Sequence, residues 1–272
     1  MQNLITQYNR FTNAAFDAFM APLEILGRPA EVLGVAVLLG VVVSLIFTLR
    51  VDKERLRRAR NDLRATLLEI WLYRHDPKLV LQAQKQLLLA NLSYTRAFFP
   101  PFVLAILIVS PVLVQSHYRF ALKPIPGGSQ VLLTAVLDRS PISFDNMDLE
   151  WISGNGTIST SVRQPALHRV VWRLQPEGAG IYTLRLKGAT EEVEFPLYVG
   201  GFKGSIATSR APGSIQHLVI PRGTPLEENS GFERIYVDYP GAEPGWLLWL
   251  TAGSLVAAFA TNRVVSRYAR HP

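Results

Sequence analysis

The chain has 272 residues, of which 49% are hydrophobic and only 18% charged, and its formal net charge is +7. This composition indicates a membrane protein with water-exposed parts. Because the chain has no cysteine, disulfides, thiolate catalysis and cysteine-based zinc or iron–sulfur sites are excluded. The basic residues cluster beside one apolar segment and at the C-terminus, an asymmetry typical of the two sides of a membrane rather than of a nucleic-acid-binding protein.

Residues 1–30 predict a short amphipathic helix. Leu4, Tyr8 and Phe11 begin an apolar stripe with spacings of three and four, and polar residues lie between them. Two interpretations remain open. The helix lies in the outer membrane interface, or it packs on a partner subunit.

An uncharged apolar run over residues 33–49 predicts the first transmembrane helix. At about 1.5 Å per residue, its length is just sufficient to cross a hydrocarbon core. The run is followed at once by Arg50–Arg64, which contains seven Lys or Arg against three acids. Since cations near the end of a span are kept on the cytoplasmic side, we predict that the N-terminus lies outside and the basic segment inside the cell.

A cytoplasmic helical hairpin is predicted after this span. Apolar residues recur three and four apart in residues 52–73 and again in 77–95, which indicates two helices of coiled-coil character. Asp76 is a candidate cap of the second helix, and Pro77 suits its first position. The first helix carries a basic cluster. The favoured explanation is that these cations bind anionic lipid headgroups or only orient the chain in the membrane, and RNA binding is the less favoured alternative. The cluster consists of Arg55, Arg57, Arg58, Arg60 and Arg64.

A second span is predicted over residues 97–116, with Pro100 and Pro101 near its start. After it, the pattern changes to short β-branched or alternating runs separated by turn residues at intervals of about ten, which predicts a β-sandwich. Residues 177–184 look like the corner-tyrosine strand of immunoglobulin-like domains, with Trp151 or Trp172 as core candidates. AsnGlyThr at 155–157 fits a glycosylation sequon, but a hairpin turn is the favoured explanation.

Residues 201–244 are rich in Gly and Pro and are interpreted as a strap that returns to the membrane, with strand candidates at 217–220 and 235–239. Trp246 and Trp249 then open a third span with aromatic interface anchors, and cations follow it. The predicted fold class is a mixed α and β membrane protein with three transmembrane helices, a cytoplasmic helical hairpin and an extracytoplasmic immunoglobulin-like β-sandwich. The predicted segments are 1–30 (interface helix), 31–50 (span 1), 51–96 (hairpin), 97–116 (span 2), 117–200 (sandwich), 201–244 (strap), 245–263 (span 3) and 264–272 (cytoplasmic tail).

Catalytic spacing is absent from the sequence. There is no phosphate-binding loop, nucleophile elbow, zinc-protease motif or dinucleotide fingerprint. The five histidines fall on different segments, which makes a shared metal site improbable. We therefore expect a protein that is not an enzyme and that uses no cofactor and no metal.

The order of parts, an outer helix, a span, a basic cytoplasmic hairpin, a second span, an outer excursion and a third span, resembles the YidC/Oxa-type insertase superfamily. The resemblance covers Met1–Val114 and Gly245–Asn262 and is one of topology. It implies a hydrophilic groove, open to the cytoplasm, that eases polar client segments into lipid. Carried over to this sequence, it implies Arg50 as the cation of the groove. Its polar lining would be Ser44, Thr48, Thr261 and Asn262.

A second hypothesis rests on the β-sandwich, since such domains without catalytic residues are commonly binding surfaces. In it the chain is a structural subunit that holds an outer partner and fastens it to a membrane complex. In both hypotheses the partners are anionic lipid headgroups and other membrane-protein subunits or clients, and nucleic acid is not favoured. The expected location is the plasma or inner membrane, with the C-terminus in the cytoplasm and the β-domain periplasmic or extracellular.

Overall fold

The computed structural model describes residues 2–72, 75–138, 147–188, 192–212, 225–227 and 230–268. Over these residues the protein is a mixed α and β structure, and it divides into two compact units. The sheet unit comprises Met1–Val32 and Pro111–Leu248, and the helix unit comprises Leu33–Ser110 and Trp249–Pro272.

Five α-helices are described. They are α1 (Gln2–Glu24), α2 (Arg28–Arg50), α3 (Lys53–Leu72), α4 (Pro77–Ser116) and α5 (Gly245–Tyr268). A π-helical turn, His117–Ala121, continues α4. Three helices are long and apolar enough to cross a membrane, over Arg28–Arg50, Lys78–Ala121 and Gly245–Arg267.

The second predicted hairpin helix and the second predicted span form one continuous helix, α4, of 40 residues. Asp76 caps it as expected, because its Oδ1 accepts hydrogen bonds from the amides of Lys78 at 3.0 Å and Leu79 at 3.4 Å. The helix continues without a break through Pro100 and Pro101. Proline removes one amide and usually breaks a helix in water, but helices in apolar surroundings tolerate it.

The amphipathic stripe predicted in α1 is largely on its surface. Leu4 and Phe11 are more than 70% exposed, whereas Phe16 and Met20 are buried. The helix therefore keeps an apolar outer surface and also contributes to the interior of the sheet unit.

In the helix unit, α3 and the first half of α4 bury small side chains, namely Ala59, Thr66 and Ala83. Their larger apolar side chains are on the surface. The exposed ones include Leu67, Leu68, Trp71, Leu72, Leu81, Leu88, Leu89 and Leu92.

Over the described residues, nine strands form two antiparallel sheets in the sheet unit. They are β1 (Val131–Leu137), β2 (Asp148–Ser153), β3 (Gly156–Ile158), β4 (Val162–Gln164), β5 (Arg169–Pro176), β6 (Gly180–Lys187), β7 (Glu192–Val199), β8 (Ser209–Arg210) and β9 (Phe232–Val237). The large sheet has the order β3-β5-β1-β9-β8, with β4 also paired to β5, and the small sheet has the order β2-β6-β7.

The segment predicted as a strap supplies two strands of the large sheet. β9 pairs with β1 from Leu133 opposite Val237 to Leu137 opposite Phe232, and β8 pairs with β9. The strand set therefore does not end near residue 200, because Phe232, Ile235 and Val237 are buried in the core. The strand candidate at 217–220 lies outside the described residues.

The two sheets share one hydrophobic core. Trp172 and Leu174 come from the large sheet, and Leu184 and Phe195 come from the small one. The corner tyrosine is confirmed, since the hydroxyl of Tyr182 donates to the carbonyl of Gly178 at 2.8 Å and accepts from its amide at 2.9 Å. Of the two predicted core tryptophans, Trp172 is 2% exposed and Trp151 is partly buried against the core.

The predicted hairpin turn at Asn155 was wrong, because β2 and β3 belong to different sheets. The chain crosses between sheets here, and Gly154 adopts a φ of +92°. A Cβ at Gly154 would lie 1.7 Å from Cδ1 of Tyr182. Glycine is therefore required both for the backbone conformation and for the space under the ring.

β7 is an edge strand of the small sheet, and its edge is covered. Pro196 has no amide to offer, and the amide of Tyr198 donates to the hydroxyl of Tyr239 at 3.1 Å. The carbonyl of Tyr198 accepts from the amide of Ile125 at 3.1 Å, and that of Glu194 accepts from the guanidinium of Arg210. Covering an edge in this way prevents pairing with another chain.

Candidate functional site

The helix unit contains a cavity of about 340 Å³, here called the helix cavity. Its walls come from α2, the middle of α4 and the second half of α5. The lining residues are Val43, Ser44, Phe47, Thr48, Val51, Phe98, Ala258 and Asn262. Three of the residues implied by the insertase resemblance, Ser44, Thr48 and Asn262, are thus brought together.

The close approach of α2 and α5 depends on glycine. A Cβ on Gly40 would lie 2.3 Å from the carbonyl oxygen of Ser254 and 2.7 Å from Cβ of Ala257, and one on Gly253 would lie 2.9 Å from Cβ of Ala36. Small residues on both helices therefore allow the close contact. The lining residues Val43 and Ser44 lie about one helical turn beyond Gly40.

The polar lining of the helix cavity is uncharged. The hydroxyl of Thr48 donates to the carbonyl of Ser44 at 2.7 Å, so this threonine is satisfied within its own helix. Ser44 is 7% exposed, and Asn262 contributes the amide group. Phe98 forms the aromatic wall, with its ring centroid 5.7 Å from that of Phe47.

Two other residues implied by the resemblance do not line the helix cavity. Thr261 donates to the carbonyl of Ala257 at 2.8 Å. Arg50 is the last residue of α2 and is exposed. Arg50, Arg96 and Arg263 nevertheless lie within two positions along the chain of a lining residue. Each of the three helices that line the cavity therefore carries an arginine close to it in sequence.

The predicted basic cluster lies on α3. Arg57, Arg60 and Arg64 are exposed, and Arg58 forms a surface ion pair with Glu54 at 2.8 Å. Arg55 belongs to the same helix. Such exposed cations are compatible with a headgroup surface.

Sequence reasoning missed a buried ionic cluster in the sheet unit. Arg119, whose side chain is 2% exposed, donates from Nε to Glu31 at 2.8 Å and from Nη2 to Glu24 at 2.6 Å. Next to it, the guanidinium of Arg28 donates to the carbonyl of Phe120 at 3.0 Å. The available signal was one Arg after the second apolar run and two Glu before the first, but nothing in the sequence indicates that they meet.

The large sheet carries a second concave site on the face turned away from the core. This sheet groove has a volume of about 600 Å³. It is lined by Leu132, Thr134, Ser159, Thr160, Val162, Gln164, Arg169, Val171, Arg173, Tyr236 and Asp238. Sequence reasoning identified β1 and β5 as strands but did not identify this face as a site.

The outer face of the small sheet is different, because its charges neutralise one another. Arg185 lies within 3.5 Å of carboxylate oxygens of Glu150, Glu192 and Glu194, and Lys187 lies 2.8 Å from Glu150. The hydrogen bond between them lowers the pKa of Glu150 and raises that of Lys187. This face is a solvated ionic surface.

Within the described residues, no group of three His, Asp or Glu could hold a metal ion. No known family model matches the chain, and no curated protein matches it either. Among solved structures, the chain is similar to parts of the S-layer protein SbsC. Domains 4 and 5 of that protein match at 16% identity and a TM-score of 0.24, covering 29% of this chain and 47% of that one.

Domains 5–6 of SbsC match at 15% identity and a TM-score of 0.24, covering 42% of this chain and 53% of that one. This chain therefore spans about half the length of these two structures. At such TM-scores the likeness carries no argument about fold or function.

Proposed function

We propose that this chain is an integral membrane protein that assists the insertion or assembly of other membrane proteins, and that it is not an enzyme. The observation that supports this most directly is the helix cavity, with Ser44, Thr48 and Asn262 among its lining residues. Polar groups there lower the cost of moving a hydrophilic client segment into lipid, since that cost arises from unsatisfied polar groups.

In this proposal Arg50, Arg96 and Arg263 face the cytoplasm, as cations beside spans do. The helix cavity then opens toward the side from which a client arrives. Arg50 and Arg263 flank it and attract acidic client tails. The two-sheet module, an immunoglobulin-like sandwich by its corner tyrosine, lies outside the cell.

The first test measures insertion of a short client with an external N-terminus into liposomes that contain the purified protein. Ser44→Val combined with Asn262→Leu removes the polar lining. It should raise the transfer cost by about 1–3 kcal/mol and so reduce insertion several-fold. Arg50→Ala should reduce insertion of clients with acidic tails more than of neutral ones.

Thr251→Val is the matched control, because Thr251 is an exposed hydroxyl on α5 that does not line the helix cavity. It should leave insertion unchanged. Insertion no greater than into empty liposomes, or equal loss in the control, would contradict the proposal.

A second function is supported by a separate observation, the sheet groove. In it the chain is a structural subunit that holds an outer partner through the large sheet. It should then co-purify at fixed stoichiometry with other membrane proteins after mild detergent extraction. Recovery only as a free monomer would count against this function.

A further inference from the structure

We propose that the sheet groove binds an acidic peptide in extended conformation, with acidic residues at positions i and i+4 and an apolar residue at i+2. This inference gives the partner chemistry for the subunit function and rests on it. It does not depend on insertion by the helix cavity.

The first support is the charge in the sheet groove. Its lining contains Arg169 and Arg173 against a single acid, Asp238. Arg173 is exposed and forms no ion pair with any residue that the structure describes. The outer cations of the small sheet are paired with carboxylates, whereas Arg173 on this face has no ion-pair partner among the described residues.

Arg169 is held in place for a ligand. Its Nε donates to Oε1 of Gln164 on the neighbouring strand, and the two residues are direct partners in the register of β4 and β5. This contact fixes the guanidinium while leaving its terminal amino groups to bind a carboxylate, which they do in bidentate fashion.

The spacing of the lining residues defines the ligand. Arg169, Val171 and Arg173 alternate along β5 and so lie on one face, with about 13 Å between the first and the last. An extended peptide has the same repeat. Its side chains at i, i+2 and i+4 can therefore place carboxylate, apolar group and carboxylate opposite arginine, valine and arginine.

The floor between the two arginines is apolar and wide enough for a branched side chain. Val162 pairs with Val171, and Thr134 pairs with Val171 on the other side. Leu132 is 43% exposed and Val162 56%. Tyr236 closes this row on β9, and Arg234 lies over its ring at 5.2 Å. Exposed apolar side chains beside arginines complement a peptide that carries both apolar and acidic residues.

The test uses full-length protein in mild detergent and a fluorescent peptide, Ser-Glu-Ser-Leu-Ser-Glu-Ser, with binding followed by anisotropy. The peptide should bind, and its Gln-for-Glu counterpart should bind at least about ten-fold more weakly, because charge-assisted hydrogen bonds are lost. Arg173→Gln should weaken binding of the acidic peptide by about ten-fold. Arg169→Gln provides a second variant if the first does not fold.

Arg185→Gln is the matched control on the outer face of the small sheet and should leave binding unchanged. Equal binding of the two peptides, no effect of Arg173→Gln, or the same loss in the control would overturn the site. Displacement of the peptide by free succinate at equal concentration would also overturn it, since the site would then take a small anion. If Arg173→Gln abolishes peptide binding but leaves co-purification intact, the sheet groove is not the partner site, whereas the subunit function stands.

Discussion

Arg119 is a single buried cation that connects three helical segments of the sheet unit. It joins Glu24 at the end of α1, Glu31 in the first turn of α2 and the π-helical turn after α4. A buried ion pair contributes little net stability, because desolvation offsets the attraction. Removing one partner is different, since the remaining charge is left buried without compensation.

We therefore expect Arg119→Met to destabilise the protein by about 3–5 kcal/mol. The side chain of Glu31 is only 6% exposed and would be left without its cation, whereas that of Glu24 is 44% exposed and can be hydrated. Adding Glu31→Leu to Arg119→Met should restore part of the loss. Thermal unfolding in detergent measures both changes.

The control for this prediction is Arg58→Met, which removes an exposed ion pair with Glu54. It should change the free energy of unfolding by no more than about 0.5 kcal/mol. If Arg119→Met had an equally small effect, the ionic cluster would be irrelevant to stability.

α2 and α5 can approach each other closely because the glycines at their contact have no side chain. At Gly40 the missing side chain lets α2 approach the backbone of α5, and the backbone atom it would meet first is the carbonyl oxygen of Ser254. In lipid, such close packing replaces the hydrophobic effect as the force between helices.

Gly40→Ala should consequently destabilise the helix unit by about 1–3 kcal/mol, because overpacking forces the two backbones apart. It should also enlarge or distort the helix cavity and reduce client insertion. Gly245→Ala is the matched control, since a Cβ there meets nothing within 4 Å. Unfolding temperatures that change equally in both variants would contradict the close contact.

How much of these elements can be predicted depends on their length. The long apolar helices and β1, β2, β5, β6 and β7 are recognisable because each repeats its pattern over at least six residues. β3, β4 and β8 have two or three residues, too few for a period to be seen. The continuity of α4 through Pro100 depends on its surroundings and not on local propensity.

The candidate sites could be predicted only in part from the sequence. Ser44, Thr48 and Asn262 were implied by the resemblance to the insertase superfamily, and all three line the helix cavity. The ionic cluster joins Arg119 to residues 88 and 95 positions away, and the sheet groove is assembled from four strands in an order that alternation alone does not give.

Each of the two units carries one candidate site of its own. The helix unit carries the polar cavity and the basic residues, and the sheet unit carries the outer groove. In the proposed orientation the arginines near the helix cavity face the cytoplasm.

Absence of native cysteine allows this orientation to be measured directly. Thr157→Cys on β3 and Asn61→Cys on α3 introduce exposed thiols, one in each unit. In intact cells an impermeant maleimide should label the first and spare the second until the membrane is opened. The reverse pattern would invert the proposed topology.

The covered edge of β7 matters when many copies of the protein lie close together. Membrane proteins confined to a plane meet one another often, and a bare strand edge would then recruit the same strand from a neighbour. Here proline, a tyrosine hydroxyl, an arginine and the Ile125 amide occupy the positions where such recruitment would begin. Crowded copies should accordingly resist fibril formation without help from disulfides.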